Sequence, residues 1–367
     1  MHKPASKDQS YNKSNTLGSI LFFCEGSPER GFGHVGRCLA LAVAFNEEHG
    51  RNCTFVFRGT KAARNTISEA GFKIIEIVND ADFNGYKFSN EAAVVLDLLI
   101  PLEDSFFTNA SSKNVLICTI DDPTPNRIKS DLAFYPPVPQ VKELGWENYA
   151  GELFCDWNYI PLRKEFANCT SPVHHPKNLA HHSKSSTPPE LLITAGGSDP
   201  AELTLKILLA LRALNEPFHA KVIIGPMFKN LDKIKGISLE LGNKVELIDG
   251  VTTMSELMQE SDMALVSFGM TAYELAACGV PQLLMCLTDD HERSASALHD
   301  AGAAISLGRY DFVSEHILIE SLRKLISSAT LRSEMSSNAQ KLGIGNGSSN
   351  IVSIIIKRLV LSNKQLD

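Results

Sequence analysis

The chain has 367 residues, 44% hydrophobic and 21% charged, with a formal net charge of -7. That length exceeds the size at which one core keeps growing, so two domains of an ordinary globular protein are expected. The acidic balance argues against nucleic acid or an anionic membrane surface as the main partner, because neither attracts a negatively charged protein.

Residues 1–17 are polar, lack the hydrophobic core of a signal peptide and are expected to be disordered; no later apolar run reaches the ~18 residues that span a bilayer. From Ser19 onward, short apolar runs alternate with helical patterns. Strands are expected at Ser19 to Cys24, Cys53 to Phe57, Lys73 to Val78, Ala93 to Leu99, Val115 to Ile120 and Leu132 to Tyr135, with helices at Val35 to His49, Thr60 to Ala70 and Leu102 to Ala110. Alternation of this kind implies a parallel sheet covered on both faces, with ligands at the carboxyl ends of its strands. The first strand runs into Arg30-Gly31-Phe32-Gly33-His34-Val35-Gly36-Arg37. Gly31 and Gly33 let a ligand approach the backbone, and the N-terminus of the following helix favours an anion. The same dipole disfavours a protonated imidazole, so His34 is expected to accept a proton. An ordinary tight turn with a capping histidine would read the same way. Asp97 and Asp121-Asp122 close two later strands and are expected on the same rim as His34, or else as turn caps.

Residues 168–189 carry Pro, Ser, Lys and His without periodicity and mark an expected linker between a first domain, 18–167, and a second, 190–345. The pairs His174-His175 and His181-His182 lack a nearby carboxylate or Cys ligand set, so no metal and no cofactor is expected. In the second domain, strands are expected at Leu191 to Ala195, Ala220 to Ile224, Val245 to Ile248, Met263 to Ser267, Gln282 to Leu287 and Ala304 to Leu307. Helices are expected at Glu202 to Leu214, Met254 to Glu260, Thr271 to Cys278 and Glu292 to Ala301. Two strand-to-helix junctions are glycine-rich: Gly196-Gly197-Ser198-Asp199, and Ser267-Phe268-Gly269-Met270-Thr271 leading to Glu274. The second can cradle a diphosphate, with the Glu274 carboxylate accepting from ribose hydroxyls; helix packing is the alternative for either junction. Asp290-His291 follow a later strand onto the same rim, as ligand contacts or as a charged helix start. Amphipathic patterns at Ser314 to Ile326, Leu331 to Leu342 and Asn350 to Leu361 close the chain, and a helix over 346–367 is expected to cross back to the first domain. Eight cysteines occur with no C-x-x-C pair, and Cys24, Cys53, Cys118 and Cys286 lie in apolar runs. That usage fits buried free thiols and a cytoplasmic location.

Two doubly wound domains with a glycine loop and His in one and a nucleotide-type site in the other resemble the GT-B architecture. More narrowly, Gly31 to Arg37, Tyr159-Ile160-Pro161-Leu162-Arg163-Lys164-Glu165-Phe166, Gly196 to Asp199 and the Glu274 and Asp290 regions resemble the UDP-2,4-diacetamido-2,4,6-trideoxy-β-L-altropyranose hydrolases of pseudaminic acid biosynthesis. That family is itself similar to the transferase that adds N-acetylglucosamine to lipid-linked peptidoglycan precursors. The resemblance implies His34 as catalytic base and Glu274 as ribose-binding acid. It also implies UDP-sugar contacts from Gly31, Gly33, Arg37, Asp97, Gly196, Gly197, Ser198, Ser267, Gly269, Met270, Thr271, Asp290 and His291. Three positions depart from that family: Phe23-Cys24-Glu25 replaces Arg-x-Asp, Leu98-Leu99 replaces His-Tyr, and Asp290-His291 replaces Asn-Gln. All three are expected where the sugar sits, which points to a different or less polar sugar substituent. The expected activity is hydrolysis of a UDP-sugar to UDP and free sugar; a GT-B glycosyltransferase and an inactive sugar-nucleotide sensor are the alternatives.

Overall fold

The computed structural model describes residues 18–26, 33–167, 169, 188–225 and 227–364. Gly31 and the two histidine pairs of the expected linker lie outside the described residues. The chain divides into two compact units. The first takes in residues up to Tyr135, Trp146–Phe154 and the chain from Ser348; the second takes in Pro136–Gly145 and Cys155–Gly347.

The first unit is built from β1 (Ser19–Gly26), α1 (Gly33–His49), β2 (Cys53–Gly59), α2 (Lys61–Glu69), β3 (Lys73–Glu76), α3 (Asp80–Asn84), β4 (Glu91–Asp97), α4 (Asp104–Ser112), β5 (Leu116–Ile120), β6 (Leu132–Tyr135) and β7 (Glu152–Cys155). These strands form a seven-stranded sheet in the order β3-β2-β1-β4-β5-β6-β7, parallel from β3 through β6. β1 is buried from Ile20 through Gly26, as a central parallel strand covered on both faces must be. Phe22 stacks on Phe55 at 5.2 Å and meets the edge of Phe45 of α1 at 6.1 Å. Burying each such ring is worth roughly 1.5–3 kcal/mol against leaving it in water. The carboxyl ends of β1 and β2 lie so close that a Cβ on Gly59 would sit 2.2 Å from the Gly26 carbonyl oxygen, which only glycine permits.

Strand order reverses between β1 and β4, the switch point where doubly wound sheets bind ligands. The β1–β4 register sets Cys24 directly beside Asp97. β4 ends at Asp97, so Leu98 and Leu99, expected in the strand, lie beyond it. Leu98 is buried in a cluster with Phe23, Phe83 and Phe106. That packing corrects its expected place against a sugar. The chain from Ser348 contributes Ile351, Val352 and Ile355 as buried residues, while Ser349 Oγ bonds Glu48 at 2.5 Å and Arg358 pairs with Glu152.

The second unit comprises β8 (Glu190–Thr194), α5 (Leu203–Arg212), β9 (His219–Ile223), α6 (Leu231–Leu241), β10 (Val245–Ile248), α7 (Met254–Glu260), β11 (Met263–Ser267), α8 (Met270–Ala277), β12 (Gln282–Cys286), α9 (Asp289–Asp300), β13 (Ala304–Arg309), α10 (Glu315–Ser327) and α11 (Ala329–Lys341); α12 (Gly347–Lys364) closes the chain. Its six strands pair in parallel in the order β10-β9-β8-β11-β12-β13. The switch point therefore falls between β8 and β11, at the two glycine-rich junctions. The segment Ile160–Phe166 packs in this unit: Ile160, Leu162 and Phe166 share a buried cluster with Ala272, Leu275 and Ala276 of α8. Close backbone approach allows this, since a Cβ on Gly347 would meet the Ile160 carbonyl oxygen at 2.0 Å.

Candidate functional site

In the first unit, α1 begins at Gly33 and turns His34 toward the end of β4. His34 Nδ1 lies 2.5 Å from Asp97 Oδ1. Arg37, one helical turn on, reaches the same carboxylate twice, Nε to Oδ2 at 2.9 Å and Nη2 to Oδ1 at 2.8 Å, and donates through Nη1 to Asp121 Oδ2 at 3.1 Å. The Asp97 side chain is 1% exposed. Burial alone would raise its carboxyl, but the Arg37 guanidinium and His34 outweigh burial and hold it well below the usual carboxylate range. Arg37 answers in kind: burial works against its charge, and Asp97 and Asp121 overcome that and push its pKa up.

An ionised carboxylate has no proton to give, so the short His34–Asp97 contact requires the proton on Nδ1. Arg37 Nη2, 3.1 Å from that nitrogen, is then a second donor and bonds Asp97 instead. The lone pair is left on Nε2, which meets no hydrogen-bond partner among the described residues. A buried carboxylate that fixes the tautomer of a histidine and would stabilise the imidazolium is the arrangement of a general base. Asp97 and Arg37, both expected on the substrate, bond each other, and Asp97 also bonds His34. Glu25, expected near the sugar, is buried and bonded to Arg58 Nε at 2.8 Å. Asp122 turns inward: its Oδ1 accepts from Thr124 N–H at 2.7 Å, its Oδ2 is buried with no partner among the described residues, and burial pushes its carboxyl up to about 6.

In the second unit, the two glycine junctions differ. After β8, Gly196 takes φ +78° and Asp199 φ +42°, folding the Asp199 carboxylate back onto the start of α5. Its oxygens accept from Leu203 N–H at 2.8 Å and Thr204 N–H at 2.9 Å. The N-terminus of α5 is therefore already occupied by an anion. After β11, Gly269 precedes α8 with no side chain capping the helix, and a Cβ there would meet nothing within 4 Å. The first N–H groups of a helix, here those of Met270 and Thr271, have no acceptor within the helix itself. Gly196 and Gly197 are exposed and Ser198 and Ser267 half-buried around this switch point.

Glu274 projects from the second turn of α8 with its side chain 13% exposed. Arg163 Nη2 lies 3.2 Å from its Oε1 and Arg163 Nη1 lies 3.0 Å from Glu165 Oε1. Burial raises the Glu274 carboxyl, and Arg163 opposes that. Arg163 was legible only as part of the Tyr159–Phe166 block; a charged residue between buried Leu162 and Phe166 is the signal that marks it. On α9, exposed Asp290 receives the Gln140 amide on its main-chain oxygen at 2.9 Å and on Oδ1 at 3.0 Å. His291 lies 5.8 Å from the Phe268 ring with Nδ1 buried and without a partner among the described residues, and burial lowers its pKa. Gln140, like Asp199, is a residue that sequence reasoning did not place in the site.

Part of the chain and its fold have known counterparts. Residues 191–351 match the family model of the glycosyltransferase family 28 C-terminal domain. The family 28 match covers β8 to the start of α12, and so both glycine junctions, Glu274 and α9. The spore coat polysaccharide biosynthesis protein SpsG of Bacillus subtilis is 26% identical over 167 residues, 45% of this chain and 49% of its own. The chain spans about half the length of the curated relatives it matches. Among solved structures, Acinetobacter baumannii MurG superposes with a TM-score of 0.66 at 15% identity, covering 92% of this chain and 99% of its own. UDP-GlcNAc 2-epimerase from Neisseria meningitidis, bound to UDP-GlcNAc, gives 0.61 at 16% identity over 92% and 100%. The fold is GT-B, with a seven- and a six-stranded parallel sheet.

Proposed function

We propose that the protein is a UDP-sugar hydrolase of glycosyltransferase-like architecture. The observation that carries this reading is the His34–Asp97 pair: a histidine at the sheet's switch point with its tautomer fixed by a carboxylate that stays ionised. His34 Nε2 takes a proton from water as the water oxygen bonds the anomeric carbon. The bond from that carbon to the diphosphate oxygen breaks, and UDP leaves with the electron pair. In the second unit, the open backbone donors at Gly269, Met270 and Thr271 receive the diphosphate, and Glu274 accepts from the ribose hydroxyls. The likeness of residues 191–351 to a glycosyltransferase C-terminal domain and of the fold to a UDP-GlcNAc-bound epimerase supports a UDP-sugar as the ligand.

The family 28 match also favours a second reading, in which His34 activates an acceptor hydroxyl instead of water. A panel of UDP-sugars, each incubated with and without sugar, lipid or peptide acceptors, separates the two. Release of UDP and free sugar without acceptor is the result expected of the hydrolase; release only with acceptor makes it a transferase. Binding without turnover in every condition contradicts both. His34→Ala is expected to lower kcat by on the order of 10² or more, the usual contribution of a general base.

A further inference from the structure

We propose that Cys169 and Cys278 are a dithiol that converts reversibly to a disulfide, a modification site in the second unit. The two sulfurs lie 2.7 Å apart, between the ~2.05 Å of a formed disulfide bond and ordinary non-bonded contact. They are 109 positions apart in sequence, so tertiary packing and not local chain geometry brings them together. Each is fixed by a different element. Cys278 is the residue after α8, with its N–H bonded to the Glu274 carbonyl oxygen at 3.1 Å. Cys169 follows the segment whose Leu162 and Phe166 pack against α8, and its own thiol points to the Glu165 carbonyl oxygen at 3.5 Å.

The partners are unequal. Cys278 is buried and Cys169 half-buried. The Cys278 thiol donates to the Cys169 sulfur, which lowers the Cys169 pKa; the same bond, with burial, raises that of Cys278. Cys169 is thus the accessible nucleophile and Cys278 the resolving thiol. With a small-molecule disulfide as oxidant, the Cys169 thiolate attacks one sulfur and expels the first small thiolate, leaving a mixed disulfide. Cys278 then loses its proton, attacks the Cys169 sulfur and expels the second thiolate. Two protein thiols are oxidised, one small disulfide is reduced to two thiols, and no other reactant is required. The bond would join the chain six residues past Arg163 to the far end of the helix that bears Glu274. This inference does not depend on the reaction proposed above.

The test is oxidised glutathione in excess on the full-length protein, followed by alkylation and non-reducing peptide mapping by mass spectrometry. The expected result is a Cys169–Cys278 linked peptide that dithiothreitol removes, beside a glutathione adduct on exposed Cys155, which serves as the internal check on the oxidant. Cys278→Ser is expected to stop at a stable glutathione adduct on Cys169, and Cys169→Ser to lose both the link and any adduct on Cys278. A glutathionylated Cys155 without the linked peptide would overturn the proposal. So would equal adduct formation on Cys278 in the Cys169→Ser protein, which would deny the assigned order.

Discussion

The two units use the same topology at their switch points and fill them in opposite ways. In the first, the charges beside His34 answer one another: Asp97 is bonded by His34 and Arg37, and Arg37 continues to Asp121. His34 Nε2 is left without a hydrogen-bond partner among the described residues. In the second, one helix start is sealed by Asp199 while the other, at Gly269, is left uncapped, with Glu274 one turn further in. A closed network orients one proton acceptor, whereas open backbone donors suit a ligand that brings its own charge. Under the proposed function, the contrast assigns chemistry to the first unit and nucleotide binding to the second.

The largest effect is expected from breaking the closed network. Asp97→Asn removes the buried charge that Arg37 answers, leaving its guanidinium paired with the more exposed Asp121, and should cost on the order of 3–5 kcal/mol in denaturant unfolding, the range for removing one partner of a buried ion pair. Kcat should fall as well, because an amide no longer holds the imidazole tautomer. The pair's stabilisation is present above the ordinary carboxylate range and is lost as pH falls toward the depressed pKa of Asp97.

Asp122, outside that network, shifts with the opposite sign. Its pKa is raised from 3.8 to about 6, so the folded state favours the protonated form. The stability it contributes is present below about pH 4 and lost as pH rises through about 6. Asp122→Asn keeps an acceptor for the Thr124 N–H and carries no charge. It should therefore be more stable than the parent at pH 8 by up to about 3 kcal/mol, as two pKa units imply, with little difference at pH 4. Urea unfolding at both pH values measures this, and a variant equally stable at both would show that Asp122 is not held protonated.

A smaller loss sharpens the contrast between the helix starts. Asp199→Ala removes the two hydrogen bonds that cap α5 and should cost about 1–2 kcal/mol in thermal or urea unfolding. A substitution to Ala at Thr271, whose helix has no side-chain cap to lose, should stay within about 0.5 kcal/mol.

Much of this was legible from residues alone. Continuous apolar runs such as Ile20 to Cys24 and Leu191 to Thr194 are the mark of parallel strands buried on both faces, and they place the carboxyl-end residues on one rim. β7 was not, because Glu152–Cys155 is four mostly exposed residues without alternation. The Leu231–Leu241 helix was also missed, with Gly236 interrupting its pattern at a cost of about 1 kcal/mol in helix propensity. His34 and Glu274 could be singled out by their positions after glycine junctions, but their partners could not. Asp97 is 63 positions from His34, and only the β1–β4 register brings the two together. Likewise Arg163 reaches Glu274 across 111 positions through the packing of Leu162 and Phe166. Asp199 was visible as part of a glycine loop, yet its role as a cap depends on a left-handed φ that its sequence context does not announce.

The division between chemistry and nucleotide binding is tested most directly by calorimetric titration of UDP into His34→Ala and Glu274→Ala side by side. Loss of the ribose acceptor should weaken UDP by roughly 1.5–3 kcal/mol, the range for hydrogen bonds to a charged group, or about 10- to 150-fold. His34→Ala should bind UDP as the parent does while losing turnover. Equal losses of UDP affinity in the two variants would contradict the division.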